Sequence, residues 1–75
     1  MKTDSKNSSV LIKVNGEDKL VPQNTSIVEL LEIYKIDRNR VVIELNKQIL
    51  KKESFQFTKL DRNDVLEIVT FVGGG

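Results

Sequence analysis

A single α+β domain is the fold class that the 75-residue sequence predicts, with one main helix packed on one face of a mixed sheet of four to five strands. Three observations support it. Several short segments alternate apolar and polar residues, as strands with one buried face do. One segment repeats its apolar residues at helical spacing. Asparagine, glycine and aspartate separate these segments at positions that are typical of tight turns.

The first two strands are predicted to form a hairpin. In the segment VLIKVNG, the apolar residues Val10, Ile12 and Val14 occupy every second position, which is strand periodicity. The dipeptide Asn-Gly that follows favours a type I′ turn, because both central residues of that turn have positive φ. The return strand, EDKLVP, should end at Pro22, whose nitrogen has no hydrogen to donate to a sheet.

The main helix is predicted in the segment NTSIVELLEIYKI. Ser26 and Glu29 have the spacing of a capping box, in which each side chain accepts a hydrogen bond from the other residue's backbone N–H. Glu29 and Glu32 should point away from the core. The repeating apolar residues should bury one face of a helix of about three turns. These residues are Ile27, Leu30, Leu31 and Tyr34.

The second half of the chain holds the remaining predicted strands. RVVIEL should be the third strand, with Val41, Ile43 and Leu45 on one side, and the dipeptide Asn-Lys should turn it. QIL then leads into the irregular segment KKESFQF, whose two phenylalanines, Phe55 and Phe57, are expected in the core or against a loop. The short segment TKL is a candidate fourth strand, and VLEIVTFV is the last strand.

The order of these elements favours a β-grasp arrangement. An early hairpin followed by one helix can bury that helix only across one face of a sheet. The crossover between the second and third strands then allows the last strand to lie centrally, parallel to the first. We therefore divide the chain into a disordered extension at residues 1–9, a β-grasp domain at 10–72 and a flexible glycine tail at 73–75.

Composition excludes several classes of function. The chain has no cysteine and no histidine, so it lacks a zinc–thiolate site and the side chain that most often acts as a general base. Its 12 basic and 11 acidic residues are interspersed, and its net charge is +1, so no basic footprint for nucleic acid is present. No apolar run approaches the roughly 20 residues that span a bilayer. We expect a cytoplasmic protein that binds neither nucleic acid nor membrane.

Charged residues in the predicted loops need no special role. Asp61 and Asp64 are expected in a turn rather than a metal site, because no further ligands occur at suitable spacing. The basic pairs are expected to be solvated loop charges. They are Lys51 with Lys52, and Arg38 with Arg40.

The three terminal glycines have two explanations when they are taken by themselves. Glycine lacks a Cβ and loses much conformational freedom on ordering, so the segment is either an incidental mobile terminus or a linker remnant. The alternative is a functional tail that requires residues without side chains. The sequence around the tail distinguishes these explanations.

The arrangement of elements and the chain ending resemble the ThiS-type sulfur carriers, which are ubiquitin-like proteins of thiamin biosynthesis. The resemblance covers residues 10–75. A β-grasp pattern alone would say little about function, because that fold serves many functions. The segments that carry the resemblance are VNGE at the hairpin, VP before the helix, IVELL within it, VVIELN and IL afterwards, and LEIVTFVGGG at the end.

The departures from this family lie in the turns. The family often has glycine where this chain has Asn24, Lys47 and Asn63, and proline where it has Lys51. Asparagine tolerates a left-handed backbone, so Asn24 and Asn63 should make the same turns. Lys47 tolerates it less well, and we expect a slightly different third turn there.

The resemblance implies that the C-terminal carboxylate of Gly75 is the acyl donor. In this family a ThiF-type adenylating enzyme activates that carboxylate with ATP, and a sulfur donor system converts the adenylate to a thiocarboxylate. A ThiG-type thiazole synthase then receives the sulfur. Gly73 and Gly74 would enter the narrow channels of both partners. The protein is expected to be a cosubstrate and not an enzyme, with no stably bound cofactor, and a monomer when free.

The last strand supplies the predicted docking residues. Leu66, Ile68 and Val72 should face inward, with Glu67 outward. Three apolar residues fall on the outward alternation, and an aromatic group beside a docking tail often contributes strongly to binding. The predicted docking residues are Val65, Val69 and Phe71. The alternative for Phe71 is a sheet residue partly covered by a loop.

Three other functions remain open at this stage. The small subunit of molybdopterin synthase shares the fold and the Gly-Gly ending, although the VNGE hairpin and the VGGG ending favour the thiamin type. A ubiquitin-like modifier would use the same adenylate to form isopeptide bonds with lysines. A β-grasp binding module with an incidental tail would not need its terminus. Protein conjugates would identify a modifier, and a dispensable terminus would identify a binding module.

Overall fold

The first hairpin forms as predicted. The computed structural model describes residues 8–71 of the chain. Strand β1 is Ser9–Val14 and strand β2 is Glu17–Pro22, and they pair antiparallel. Asn15 and Gly16 connect them with φ angles of 50° and 84°, which is the left-handed backbone of a type I′ turn.

The predicted boundary at residue 10 needs a small correction. Ser9 is the first residue of β1, and the carbonyl of Ser8 accepts a hydrogen bond from the Gln23 N–H at 3.0 Å. Both serines therefore belong to the folded domain, because the end of β2 offers them a partner strand. Residues 1–7 of the predicted extension lie outside the described residues.

Helix α1, Ile27–Ile33, begins with the predicted capping box. Ser26 Oγ accepts a hydrogen bond from the Glu29 N–H at 3.1 Å, and Glu29 Oε1 accepts one from the Ser26 N–H at 2.8 Å. Two backbone donors that have no partner inside the helix are thereby satisfied. Glu29 and Glu32 are exposed, as expected.

The helix is shorter than predicted, with seven residues, or about two turns. Lys35 has a φ of 60° and ends it. The Ile36 N–H donates to the Leu31 carbonyl at 2.9 Å, and the Lys35 N–H donates to the Glu32 carbonyl at 3.1 Å. This is a Schellman motif, which usually has glycine at the left-handed position. The sequence did not predict this motif, because lysine occupies the left-handed position in place of glycine.

The second hairpin connects β3, Val41–Leu45, to β4, Gln48–Ile49. Asn46 and Lys47 form its two-residue loop with φ angles of 51° and 71°. Both values are positive, so this is the same type I′ geometry as in the first hairpin.

Left-handed backbone therefore occurs at each of the three positions where ThiS-type sulfur carriers often have glycine and this chain does not. The expectation for Asn24 and Asn63 is confirmed, since their φ angles are 68° and 69°. The expectation of an altered turn at Lys47 is wrong. Pairing of β3 with β4 imposes the turn geometry, and lysine adopts it at a cost in backbone energy.

The segment TKL is not the fourth strand. Its central residue, Lys59, makes only an isolated bridge with Ser26. The Leu60 N–H donates to the Thr25 carbonyl at 2.7 Å. The segment thus pairs with the residues that precede the helix, and it fixes the start of α1 instead of extending the sheet.

The last strand, β5, Val65–Thr70, lies at the centre of the five-stranded sheet, whose order is β2-β1-β5-β3-β4. It runs parallel to β1 and antiparallel to β3. The predicted adjacency of the first and last strands is confirmed. The architecture is the predicted β-grasp, a mixed sheet with α1 on one face.

The core lies between α1 and the sheet. The predicted inward residues of β1, β3 and the helix are buried there, as are Leu66 and Ile68 of β5, while Tyr34 and Leu45 pack against it partly exposed. Phe55 is buried, but Phe57 is 73% exposed, which corrects its expected place. The turn that follows the 3₁₀ helix Lys52–Ser54 places positions 55 and 57 on different sides. The buried apolar residues are Val10, Ile12, Val14, Val21, Ile27, Leu30, Leu31, Val41, Ile43, Phe55, Leu60, Leu66 and Ile68.

Candidate functional site

The site predicted from the sequence is the tail and the strand that leads to it. Gly73, Gly74, Gly75 and Val72, which was expected to face inward, lie outside the described residues. The described part of the site is therefore β5 with its neighbours. At its end, the Phe71 N–H donates to the Arg40 carbonyl at 2.9 Å. The strand is paired on the β3 side up to the last described residue.

Two asparagines from the two hairpin turns hold β5. The Asn46 N–H donates to the Val65 carbonyl at 2.8 Å, and Asn46 Oδ1 accepts from the Val65 N–H at 2.9 Å. On the other side, Asn15 Oδ1 accepts from the Ile68 N–H at 2.7 Å, and Asn15 Nδ2 donates to the Ile68 carbonyl at 3.2 Å. Strand β1 ends at Val14, and the side-chain amide of Asn15 then makes the two hydrogen bonds to β5 that the backbone of a longer β1 would make.

Alternation along β5 divides its side chains between two faces. Leu66 and Ile68 are buried under α1, as predicted. Val65, Val69 and Phe71 are 38%, 58% and 51% exposed. All three predicted docking residues are therefore accessible from solvent. Half of the surface of Phe71 is exposed, so the alternative of a covering loop applies at most to the other half.

The open face of the sheet carries a groove that extends beyond the predicted residues. Val65 and Val69 line it together with side chains from β3, β4 and the second turn, whereas Phe71 lies outside its lining. Sequence reasoning missed the contributions from β3 and β4. The alternation in RVVIEL could have predicted the β3 contribution, because Val42 and Glu44 alternate with the inward residues of that strand and so face the open side. The lining residues are Val42, Glu44, Lys47, Ile49, Val65, Glu67 and Val69.

Loop charges around the site serve local structure. Asp64 Oδ2 accepts from the Asp61 N–H at 2.7 Å, and Asp64 Oδ1 accepts from Asn46 Nδ2 at 3.0 Å. This is the predicted turn. Arg40 Nε lies 3.7 Å from an Asp37 carboxylate oxygen in an exposed pair, which contributes little to stability.

Residues 8–71 contain neither a metal-binding cluster nor a helix that could span a membrane. No group of three or more histidine, cysteine, aspartate or glutamate side chains there is arranged to hold a metal ion. None of the helices in that range has the length and apolar character needed to cross a membrane.

The fold and the open face define a class of protein. A helix on one face of a mixed sheet, with the central strand leading to the C-terminus, is the architecture of the ubiquitin-like β-grasp proteins. Within that class, residues 6–75 match the ThiS family. The chain belongs to the ThiS family.

Individual relatives agree with this assignment. The chain is 39% identical over 66 residues to the sulfur carrier protein ThiS of Bacillus subtilis (strain 168), which is 87% of this chain and all of that protein. The crystal structure of the thiamine biosynthesis protein (ThiS) from Geobacter metallireducens superposes with a TM-score of 0.75 at 32% identity, covering 88% of this chain and 100% of that one.

A third relative is much longer than this chain. It is the thiazole synthase of Paramagnetospirillum magneticum (strain ATCC 700264 / AMB-1), with 34% identity over 62 residues. The matched segment is 83% of this chain but 19% of that protein. A domain similar to this chain is thus part of a protein named as a thiazole synthase.

Proposed function

We propose that this ThiS-family sulfur carrier of thiamin biosynthesis bears its sulfur on the C-terminal carboxylate of Gly75. The observation that carries the proposal is the place of the glycines in the sequence. Gly73 comes two residues after Phe71, and the central strand is hydrogen-bonded on the β3 side up to Phe71. A rigid domain with a terminus free of side chains suits delivery of one carboxylate into a narrow active site.

The proposed reaction has two steps. A carboxylate is a poor acyl donor, so one carboxylate oxygen of Gly75 attacks the α-phosphate of ATP, and pyrophosphate leaves. A sulfur donor system supplies hydrosulfide, HS⁻, which adds to the carbonyl carbon of the acyl adenylate, and AMP leaves with the bonding electron pair. The product is a thiocarboxylate, which passes its sulfur to the enzyme that builds the thiazole ring.

Other proteins supply the catalysis in this scheme. A ThiF-type adenylating enzyme would bind ATP and activate Gly75, and a ThiG-type thiazole synthase would accept the sulfur. The segment similar to this chain within a thiazole synthase supports the second partner. The chain itself acts as a cosubstrate, with no stably bound cofactor, and as a monomer when free. We also propose a cytoplasmic location.

The proposed docking site for the adenylating enzyme is the exposed set Val65, Val69 and Phe71. Exposed apolar side chains on a rigid strand lose little conformational freedom when they are covered by a partner. Phe71 is the last described residue, and the glycines begin two positions after it, so covering Phe71 would bring them to the entrance of the partner's active site. An aromatic anchor in such a position is a typical hot spot.

Deletion of Gly75 tests the proposed reaction. The shortened chain would keep its melting temperature, because a terminal glycine buries almost nothing. Its carboxylate would fall up to roughly 3.5 Å short of the α-phosphate, and a misplacement of about 1 Å already costs on the order of 100-fold in rate. Gly74→Val should act similarly by placing a β-branched side chain in the channel.

The measurements are ATP–pyrophosphate exchange with the adenylating enzyme, a thermal melt, and intact mass after a sulfur source is added. We expect wild-type protein to gain the mass difference of one oxygen replaced by sulfur. Normal exchange by the deletion variant would exclude Gly75 as the reacting residue. Conjugates with lysines would instead indicate a protein modifier, and transfer to a molybdopterin precursor would indicate the other carrier pathway.

A further inference from the structure

Two glutamates face each other on the open side of the sheet. Glu44 of β3 and Glu67 of β5 are directly paired in the antiparallel register, so their Cα atoms lie about 5 Å apart. Both residues line the groove, so their side chains lie on the same face. Like charges at directly opposed positions destabilise a sheet. We call these two residues the acid pair.

The folded domain does not neutralise the acid pair. Within residues 8–71, neither carboxylate takes part in an ion pair or a side-chain hydrogen bond. Lys47 lines the same groove, yet it too makes no ion pair in that range. Among the described residues, the acid pair therefore carries an electrostatic cost that no ion pair or side-chain hydrogen bond offsets.

Apolar side chains surround the acid pair. Val42 and Val69 form the next cross-strand pair on the same face, two residues along the strands in the direction of Phe71. Ile49 pairs with Glu44 from the β4 side, and Val65 lines the groove at its other end. When a partner covers these apolar groups, water leaves the groove and the local dielectric constant falls. A hydrogen bond or ion pair between the partner and these carboxylates then becomes stronger.

We propose that the acid pair receives an arginine side chain from the docking surface of the adenylating enzyme. This inference rests on the proposed function and extends its docking site from β5 to β3. A guanidinium offers several N–H donors in one plane, so it can bond two carboxylates at once. It is also weakly hydrated, which suits an apolar surround better than an ammonium group does.

The position of the acid pair gives the contact a second role. Glu67 and Phe71 are four residues apart on one strand, which corresponds to roughly 13 Å. An ion pair at Glu67 and an apolar contact at Phe71 would together define a direction along β5. An apolar patch alone permits several orientations, whereas a charged contact at a fixed distance selects one. That orientation directs the tail toward the nucleotide.

Two other occupants fit the acid pair less well. A second copy of this chain, docked through the same face about a two-fold axis, would bring the two acid pairs together and add repulsion. A metal ion would find no suitable site, because no group of three or more histidine, cysteine, aspartate or glutamate side chains in residues 8–71 is arranged to hold one. An arginine of the partner satisfies both the charge and the apolar surround.

The test is the double variant Glu44→Gln with Glu67→Gln, in the full-length chain. Its matched control is Glu32→Gln with Glu53→Gln, which removes the same charge at two exposed positions outside the groove. Binding to the adenylating enzyme without ATP is measured by calorimetry at several salt concentrations. We expect the groove variant to bind about 10- to 100-fold more weakly, the loss typical of charge-assisted hydrogen bonds. Its salt dependence should also be weaker than that of the wild-type protein.

A thermal melt of the free proteins separates this role from a structural one. Removing the opposed charges should leave the melting temperature of the groove variant equal to or above that of the wild-type protein. Binding that weakens while the free domain does not would support a contact with the partner. A clear fall in melting temperature would contradict the proposal, because it would give the acid pair a role within the fold.

Four further outcomes would overturn the proposal. They are unchanged binding by the groove variant, an equal loss in the control, weakened binding to thiazole synthase alone, and a wild-type dimer in sedimentation that the groove variant abolishes. Wild-type protein that never exchanges pyrophosphate would instead reject the proposed function itself. The two failures are therefore distinguishable.

Discussion

The two faces of the sheet differ in what covers them. On one face, Ile12, Ile43 and Leu66 are fully or almost fully buried beneath α1. On the other face, Val42 and Val69 belong to the same strands and remain exposed. Branched apolar side chains thus occur on both faces, although the open face also carries Glu44 and Glu67. The helix covers only the first face.

Strand β5 contributes side chains to both faces of the sheet. Leu66 and Ile68 stabilise the fold, and the residues between and beside them form the open groove. One six-residue strand thus serves the core and the proposed docking site through alternate positions. A substitution on one face should change stability, and a substitution on the other should change binding.

The largest predicted effect concerns the covered face. Leu31→Ala removes a side chain that is almost completely buried between α1 and the sheet. Truncation of a buried leucine costs about 2–5 kcal/mol in the free energy of unfolding, which is a large share of a small domain's stability. We expect a strong fall in melting temperature, measured by circular dichroism. A loss no greater than that of an open-face variant would break the comparison of the faces.

The open face should give the reverse result. Phe71→Ala removes an aromatic side chain that is half exposed. We expect the melting temperature to change little, while binding to the adenylating enzyme weakens by about 2 kcal/mol, the size of a hot-spot effect. Calorimetry and a thermal melt measure the two quantities. Phe57→Ala is the control, since this more exposed phenylalanine lies away from the groove. Equal melting losses for Phe71→Ala and Leu31→Ala would refute the docking assignment.

A third prediction concerns how the helix is held on the covered face. Ser26→Ala removes the hydroxyl that accepts the Glu29 N–H at the start of α1. Loss of such a cap typically costs about 1 kcal/mol. Chemical denaturation should show a lower midpoint with an unchanged slope. The control Ser9→Ala, at an exposed position in β1, should leave the midpoint nearly unchanged. An unaltered midpoint for Ser26→Ala would show that packing alone determines where the helix begins.

The smallest predicted effect is a gain in stability at the edge of the open face. Lys47 lies at a φ of 71°, which glycine adopts without the steric cost that a Cβ causes. Lys47→Gly should therefore stabilise the domain by about 0.5 kcal/mol, because relief of strain exceeds the entropy that glycine loses. Lys47→Ala removes the same charge and keeps the Cβ, so it should show no such gain. Destabilisation by Lys47→Gly would mean that the lysine side chain contributes to the fold.

Much of the fold was predictable, and the turns show why. Asn15-Gly16 and the Ser26–Glu29 capping box are local signals, because the residues that form each one are neighbours in the chain. The end of the helix was not predictable, since Lys35 gives no local sign of left-handed backbone. The short strand β4 was missed for a related reason. Two residues carry too little periodicity to mark a strand, and only pairing with β3 defines it.

The candidate site likewise has residues that the sequence predicted and residues that it did not. Val65, Val69 and Phe71 were found from alternation within one strand, and their exposure agrees with that prediction. Glu44 and Glu67 are 23 positions apart in the sequence (67 minus 44), and no local pattern links them. Only the β3–β5 register places them opposite each other.

The class of fold, the inward positions of the long strands, the adjacency of the first and last strands and the family resemblance were all predictable from the sequence. These features follow from periodicity, turn chemistry and the order of elements, most of which reflect residues close along the chain. Only the folded chain shows that β4 pairs with β3, that the groove extends over β3 and β4, and that Glu44 lies opposite Glu67. Pairing between distant segments determines those features, and its energy depends on the partner strand as much as on the residue itself.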